Sequence, residues 1–320
     1  MKKQYNIMVV GPGRWGSFLT WYLDKIGNTV TLYGLEEPIR QLLENRTNDY
    51  VKFDDRIDIT TNLDKIIDQD IIVISIPSQA LYNFTQEIKH YNLKNKTFIL
   101  CMKGIDTTKN KRLSEIVTEN VDPSNSVCVW IGPGHVQEFY NGIPNCMVID
   151  SKDTEKKVEL VNNLSSDLIR FYIGNDLIGN EIGAASKNVI GIAAGMLDGF
   201  GLSSLKGALM SRGTREIARL IKEMGGNELS AYGLCHLGDY EATVFSKFSH
   251  NRAFGEKFVK KEAFDKLAEG YYTVKSMMYY SYVYNVDLPI CEAVYNILYN
   301  KEDPEEVFKN LFSRKIKKEF

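Results

Sequence analysis

Over the first 174 residues, short runs of β-branched and apolar residues alternate with stretches of helical periodicity. The strand-type runs fall at residues 7–10, 29–33, 71–75, 97–102, 127–131, 147–149 and 169–173. Such alternation predicts successive β-α-β units and a mostly parallel sheet. Gly174, Asn175 and Asp176 end the last strand, and the pattern from residue 180 onward changes to helix-length segments. Helices are predicted at 183–196 and 206–224, the second stopped by Gly225 and Gly226, with several more after residue 232. The expected architecture is α/β, with an N-terminal mostly parallel sheet over residues 1–178 and an all-helical C-terminal domain over 179–320. Tyrosines at helical spacing over 271–284 read as rings that pack a helix bundle.

A length of 320 residues favours two domains over one core. A net charge of −2 with 25% charged residues shows no basic excess, which argues against a nucleic-acid partner. The longest apolar runs, 71–76 and 189–194, are far below the span of a bilayer, and residues 1–4 lead straight into a strand without a secretion signal. A cytoplasmic protein is expected, with no membrane insertion. Five scattered cysteines without a Cys-x-x-Cys pair read as reduced thiols, and no metal is expected. The basic end at 314–318 reads as a solvated helix terminus.

Gly11-Pro12-Gly13-Arg14-Trp15-Gly16 follows the first strand and opens a helix, the context that gives a G-x-G-x-x-G pattern its meaning. Gly11 serves the tight turn, Gly13 lets the backbone approach a pyrophosphate, and Gly16 lets helix pack on strand, as in the Rossmann fold. The dipole and amides of the helix start then face the phosphates. After the second strand stand Glu36 and Glu37, with no arginine before Arg40. A carboxylate there grips ribose hydroxyls, so NAD is expected rather than NADP, with NADP as the alternative.

Residues 182–195 are almost all small or apolar, yet Lys187 and Asn188 interrupt them. A desolvated lysine has a lowered proton affinity suited to proton transfer; the other reading is a lysine that snorkels to solvent or satisfies a carboxylate structurally. Downstream, Asp239 and Thr243 stand at i and i+4, which on a helix places them on one face. A polar cluster, Ser249-His250-Asn251-Arg252, follows.

These residues together resemble the NAD(P)-dependent glycerol-3-phosphate dehydrogenase family. The resemblance runs in order from Gly11–Gly16 through Lys103-Gly104, Gly132-Pro133 and Glu138, the helix with Lys187-Asn188-Val189, Asp198-Gly199, Arg212-Gly213, Gly238-Asp239 to Thr243, Asn251-Arg252 to Gly255, and Glu269-Gly270. It implies hydride transfer between NAD(P)H and dihydroxyacetone phosphate, giving glycerol 3-phosphate for glycerophospholipid synthesis, by a homodimer. It further implies Lys187 as general acid, Lys103 as electrostatic assistant and Asp239 as the partner that keeps Lys187 charged. Substrate contacts would come from Lys103, Asn188, Asp239, Thr243, His250, Asn251 and Arg252. Cofactor contacts would come from Gly11, Gly13, Arg14, Trp15, Gly16, Glu36, Pro77, Lys103 and Glu269. Three segments depart from the family pattern: Leu202-Ser203-Ser204-Leu205, Gly134-His135 after Pro133, and His250 where the family places an arginine. A histidine lacks the planar fork and permanent charge with which arginine grips phosphate. A related dehydrogenase for a different small hydroxy or keto substrate is therefore the alternative.

Overall fold

The computed structural model describes residues 2–313, apart from the side chains of Glu36 and Phe312. The basic stretch 314–318 lies outside the described residues. The chain divides into two compact units, Met1–Glu181 and Ile182–Phe320.

The first unit is built on strands β1 (Asn6–Val10), β2 (Thr29–Tyr33), β3 (Asp58–Thr60), β4 (Ile71–Ile74), β5 (Thr97–Leu100), a small hairpin of β6 (Ile105–Asp106) and β7 (Lys111–Arg112), β8 (Ser126–Ile131), β9 (Asn145–Ser151) and β10 (Ile169–Ile173). Its helices are α1 (Arg14–Lys25), α2 (Glu36–Asn45), α3 (Leu81–Glu87), α4 (Leu113–Asn120), α5 (Val136–Tyr140) and α6 (Thr154–Leu164). The eight-stranded sheet runs in the order β10-β9-β8-β5-β4-β1-β2-β3. Neighbours are parallel except β8 and β9, which run antiparallel. All seven predicted strands are present; β3 and the hairpin went unread because two or three residues carry no period.

Central strands in such a sheet are covered on both faces, which is why they read as unbroken apolar runs. All four residues of β4, Ile-Ile-Val-Ile, are buried, whereas the edge strand β10 alternates. The chain proceeds from β1 outward through β2 to β3, then returns to β4 on the other side of β1. The carboxyl ends of β1 and β4 therefore flank the switch point at which open α/β sheets bind ligands.

Helix α7 (Leu177–Gly199) begins in the first unit and continues into the second. Its Glu181 is buried and accepts hydrogen bonds from the Ser114 amide (2.9 Å), the Ser114 hydroxyl (2.6 Å) and Arg112 Nη1 (2.7 Å), which ties this turn to the start of α4. The second unit holds the rest of α7 and α8 (Lys206–Glu223), α9 (His250–Val259), α10 (Glu269–Val283), α11 (Pro289–Tyr299) and α12 (Pro304–Phe312), with no strand among its described residues. Helix α8 stops as its glycines predict: Gly225 takes a φ of 83°, and Gly226 N–H returns to the Ile221 carbonyl at 2.9 Å. On α10 the tyrosines divide. Tyr280 is buried and Tyr271 packs on Tyr299 at 4.9 Å, while Tyr272, Tyr279 and Tyr282 face solvent.

The first turn of α11 is held by Glu216 of α8, whose buried carboxylate accepts the Ile290 and Cys291 amides at 2.9 and 3.0 Å. Burial pushes this carboxyl up to about 7, against the lowering effect of the two amides. Between its ordinary 4.5 and about 7 the folded state binds more protons than the unfolded state, so this group makes stability fall as pH rises through that window. Urea melts of wild type and Glu216→Gln from pH 4.5 to 8 are expected to show this fall in the wild type only. Equal slopes in both proteins would contradict the assignment.

Candidate active site and dinucleotide loop

In the first unit, the loop between β1 and α1 is shaped by two of its three glycines. Gly11 has a φ of 107°, its amide donates to the Tyr33 carbonyl at 2.9 Å, and a Cβ there would stand 2.5 Å from the Ser75 carbonyl oxygen. A Cβ on Gly16 would collide with the Gly11 carbonyl. Gly13 differs, because it is exposed and a Cβ there would meet nothing within 4 Å. The protein's own packing does not require that glycine; the space in front of it stays open. Gly13 caps α1 through its backbone alone, and the first turn of this 12-residue helix carries no acidic side chain. A helix start with these features suits the pyrophosphate of a dinucleotide.

Around the loop, Arg14 is half-buried and burial lowers its guanidinium from the ordinary value. Trp15 packs on Phe18 and Phe139, with ring centroids 5.2 and 6.2 Å away. Pro77 is exposed just beyond the carboxyl end of β4. Lys103, half-buried beyond β5, donates to the Gly132 carbonyl at 2.7 Å. Glu36 is the first residue of α2, and the exposed Arg40 one turn on stands 3.9 Å from Glu44.

In the second unit, Lys187 is 5% exposed and does not snorkel. Its Nζ lies 2.6 Å from Asp239 Oδ2 and 2.7 Å from the Thr243 hydroxyl, with Asp239 1% exposed. Removing one partner of such a buried pair costs about 3–5 kcal/mol, because the remaining charge stays desolvated. Asp239 and Thr243 do converge, but not as one face of an α-helix. Asp239 closes a 3-10 turn, Leu237–Asp239, and Thr243 sits in a π-helical turn, Glu241–Phe245.

The close approach of this segment to α7 follows from a spacing of four. Gly183, Lys187, Gly191, Gly195 and Gly199 form one ridge of the helix, and Lys187 is its single large side chain. A Cβ on Gly191 would stand 2.7 Å from Thr243 Cγ2, and one on Gly195 would collide with the Arg252 carbonyl. From the other side, a Cβ on Gly255 of α9 would collide with the Ile192 carbonyl. Backbone therefore lies on backbone, and the lysine reaches sideways into the polar turns.

Asn188, the next residue, accepts from Asn251 Nδ2 at 3.0 Å, and Asn251 Oδ1 accepts the Gly270 amide at 2.9 Å. Glu269 opens α10 immediately before that glycine. His250 is the first residue of α9, half-buried and edge-on to Phe264 at 6.5 Å; Ser249 caps the helix by accepting the Arg252 amide. Arg252 points into a separate cluster. Its Nη1 contacts Asp198 Oδ2 (2.7 Å) and Glu256 Oε2 (3.0 Å), and its Nε donates to the Ser246 carbonyl. Lys206 joins Asp198 Oδ2 at 2.6 Å. Burial raises the Asp198 carboxyl, but Lys206, Ser203 and Arg252 outweigh it and hold the group below the ordinary range. The sequence reading missed the tie between Asp198 and Lys206; an acid near a helix end, eight residues before a lysine that opens the next, was the available signal.

A mostly parallel sheet with an open glycine loop at its first strand defines a dinucleotide-binding α/β protein. Residues 6–157 match the family model for the NAD-dependent glycerol-3-phosphate dehydrogenase N-terminus, and residues 176–309 match the model for its C-terminus. The chain belongs to that family. It is 33% identical over 328 residues to a glycerol-3-phosphate dehydrogenase, NAD(P)+, of Thermoanaerobacter sp. (strain X514), covering 98% of each chain. Identity to the protein of the same name from Prosthecochloris aestuarii is 35% over 333 residues, covering 98% of this chain and 99% of the relative. The crystal structure of glycerol-3-phosphate dehydrogenase from Coxiella burnetii superposes with a TM-score of 0.90 at 25% identity, over 97% of this chain and 99% of that one.

The open space at Gly13 gives a direct test. The Cβ of a Gly13→Val variant would meet nothing within 4 Å, so the variant is expected to fold normally and lose dinucleotide binding by calorimetry. Unchanged affinity in the folded variant would refute this placement of the phosphates.

Proposed function

We propose that this chain reduces dihydroxyacetone phosphate to sn-glycerol 3-phosphate, and the observation that carries the proposal is the buried Lys187–Asp239 pair in a member of this family. A bound nicotinamide dinucleotide supplies the hydride. Lys187 delivers the proton that the former ketone oxygen takes up, and its charge stabilises the negative charge that develops there. Asp239 at 2.6 Å favours the ammonium form and aims it. Thr243 and Asn188 hydrogen-bond the hydroxyls of the bound substrate or product, and Lys103 carries over from the resemblance as a second cation. The dinucleotide is assigned to Gly11, Gly13, Arg14, Trp15, Gly16, Glu36, Pro77, Lys103 and Glu269. NAD is the preferred form, since Glu36 follows β2 and the nearby Arg40 stands by Glu44.

For the phosphate, His250 and Asn251 stand at the positive end of α9, where a helix start favours an anion. Arg252 supports them from behind, with its guanidinium held by Asp198 and Glu256. The product serves glycerophospholipid synthesis in the cytoplasm, and the enzyme works as a homodimer. No helix among the described residues is long and apolar enough to cross a membrane.

His250 favours one second reading, a related dehydrogenase whose small ketone lacks a phosphate at this place. Purified protein mixed with NADH or NADPH and a panel of small ketones separates the two. The proposal expects dihydroxyacetone phosphate to be the best substrate, with higher kcat/KM for NADH than for NADPH. It further expects His250→Arg to lower KM for that substrate about tenfold, as a bidentate charge-assisted contact replaces a single one. A non-phosphorylated ketone reduced far better by the wild type would sink the proposal in favour of the second reading.

A further inference from the structure

Two rings that take no part in the chemistry above lie beneath Lys187 and Asp239. His236 and Tyr240 are both wholly buried, four residues apart on either side of the turn that carries Asp239. The Tyr240 hydroxyl lies 2.7 Å from His236 Nε2, His236 Nδ1 lies 2.8 Å from the Gly183 carbonyl oxygen, and the rings meet edge-on at 4.8 Å. Burial pushes the His236 imidazole down to about 4, so the ring is neutral at working pH. Its single proton then sits on Nδ1 and goes to the Gly183 carbonyl, which leaves Nε2 to accept from Tyr240. Burial also holds the Tyr240 phenol far above its ordinary range, so that hydroxyl keeps its proton to give. The titratable groups facing the pair are Lys187 and Asp239 on one side and Glu216 of α8 and Cys291 of α11 on the other.

Both bonds act on the backbone that holds the partners of Lys187. The Asp239 amide donates to the His236 carbonyl at 3.0 Å, and the Tyr240 carbonyl accepts the amides of Thr243 (3.1 Å) and Val244 (2.6 Å). The two ring residues thus bracket Asp239 and start the turn that carries Thr243. Their anchor, the Gly183 carbonyl, is one helical turn before Lys187, where an α-helix places the acceptor of the Lys187 amide. We infer that the hydrogen-bonded His236–Tyr240 pair is a positioning latch, which keeps Asp239 and Thr243 in register on Lys187 by fastening both to the backbone of α7. This rests on the reading of Lys187 and Asp239 as the proton-delivering pair.

Tyr240→Phe deletes only the hydroxyl, and His236→Asn keeps a donor for Gly183 while removing the acceptor for Tyr240. Each is expected to lower kcat for dihydroxyacetone phosphate about tenfold, the size of a typical coupling between bonded neighbours, with dinucleotide affinity unchanged. The alkaline limb of the kcat profile is expected to move to lower pH, because a carboxylate held less firmly favours the ammonium less. The double variant is expected to be no slower than the slower single one, since both delete the same bond. A fall in thermal midpoint with wild-type kcat and pH limb would show that the pair only packs, and additive losses in the double variant would also overturn the latch. Asp239→Asn keeps the two failures apart. Wild-type turnover in that variant removes the underlying reading of the pair, whereas a slow Asp239→Asn beside unaltered Tyr240→Phe and His236→Asn removes the latch alone.

Discussion

The second unit depends on one constraint: a lysine buried in an apolar helix must meet its counter-charge inside the protein. Lys187 is on a helix whose neighbours along the same ridge are glycines, so the chain that brings Asp239 and Thr243 can come down onto the helix backbone. Larger residues at 191 or 195 would hold that chain away and leave the ammonium buried and unmatched, which costs several kcal/mol. The same close approach brings Asn251 to Asn188 and seats the start of α9 beside them. Packing and chemistry have one cause here, since the glycines that permit the contact also aim the polar groups.

A second ion cluster does comparable work at the other end of the ridge. Asp198 near the end of α7 holds Lys206 at the start of α8 and Arg252 in α9. Arg252 thereby fixes the first turn of the helix whose leading residues are His250 and Asn251. On the proposed function, a guanidinium held between two carboxylates serves as a strut, and His250, Asn251 and the helix start meet the anion. The departure that the resemblance marks at His250 falls, on the same proposal, where recognition depends on few groups.

Much of this was legible in the sequence, for physical reasons. Strands buried on both faces leave continuous apolar runs, so the main sheet was readable, whereas β3, with three residues, was not. The glycine loop was readable because Gly11 and Gly16 answer to steric demands of the turn itself. Lys187 stood out as a charge in an apolar helix. Its partners were named through the family resemblance, and the i, i+4 argument supplied the wrong geometry, because residues 237–245 form 3-10 and π turns in place of an α-helix. Such turns carry no local period, and the long-range bond beside them, from His236 to the Gly183 carbonyl, is not visible in the sequence. The glycine spacing of four around Lys187 was present in the sequence, yet its meaning depends on what packs against it.

On the proposed function, Lys187, buried against Asp239, supplies the proton for carbonyl reduction. Single-turnover reduction of dihydroxyacetone phosphate by Lys187→Ala, followed by loss of NADH absorbance, tests it most directly. The account predicts a rate lower by about two orders of magnitude or more, the usual share of general acid catalysis, with dinucleotide affinity by calorimetry as in the wild type. A folded Lys187→Ala protein that turns over at close to the wild-type rate would contradict it.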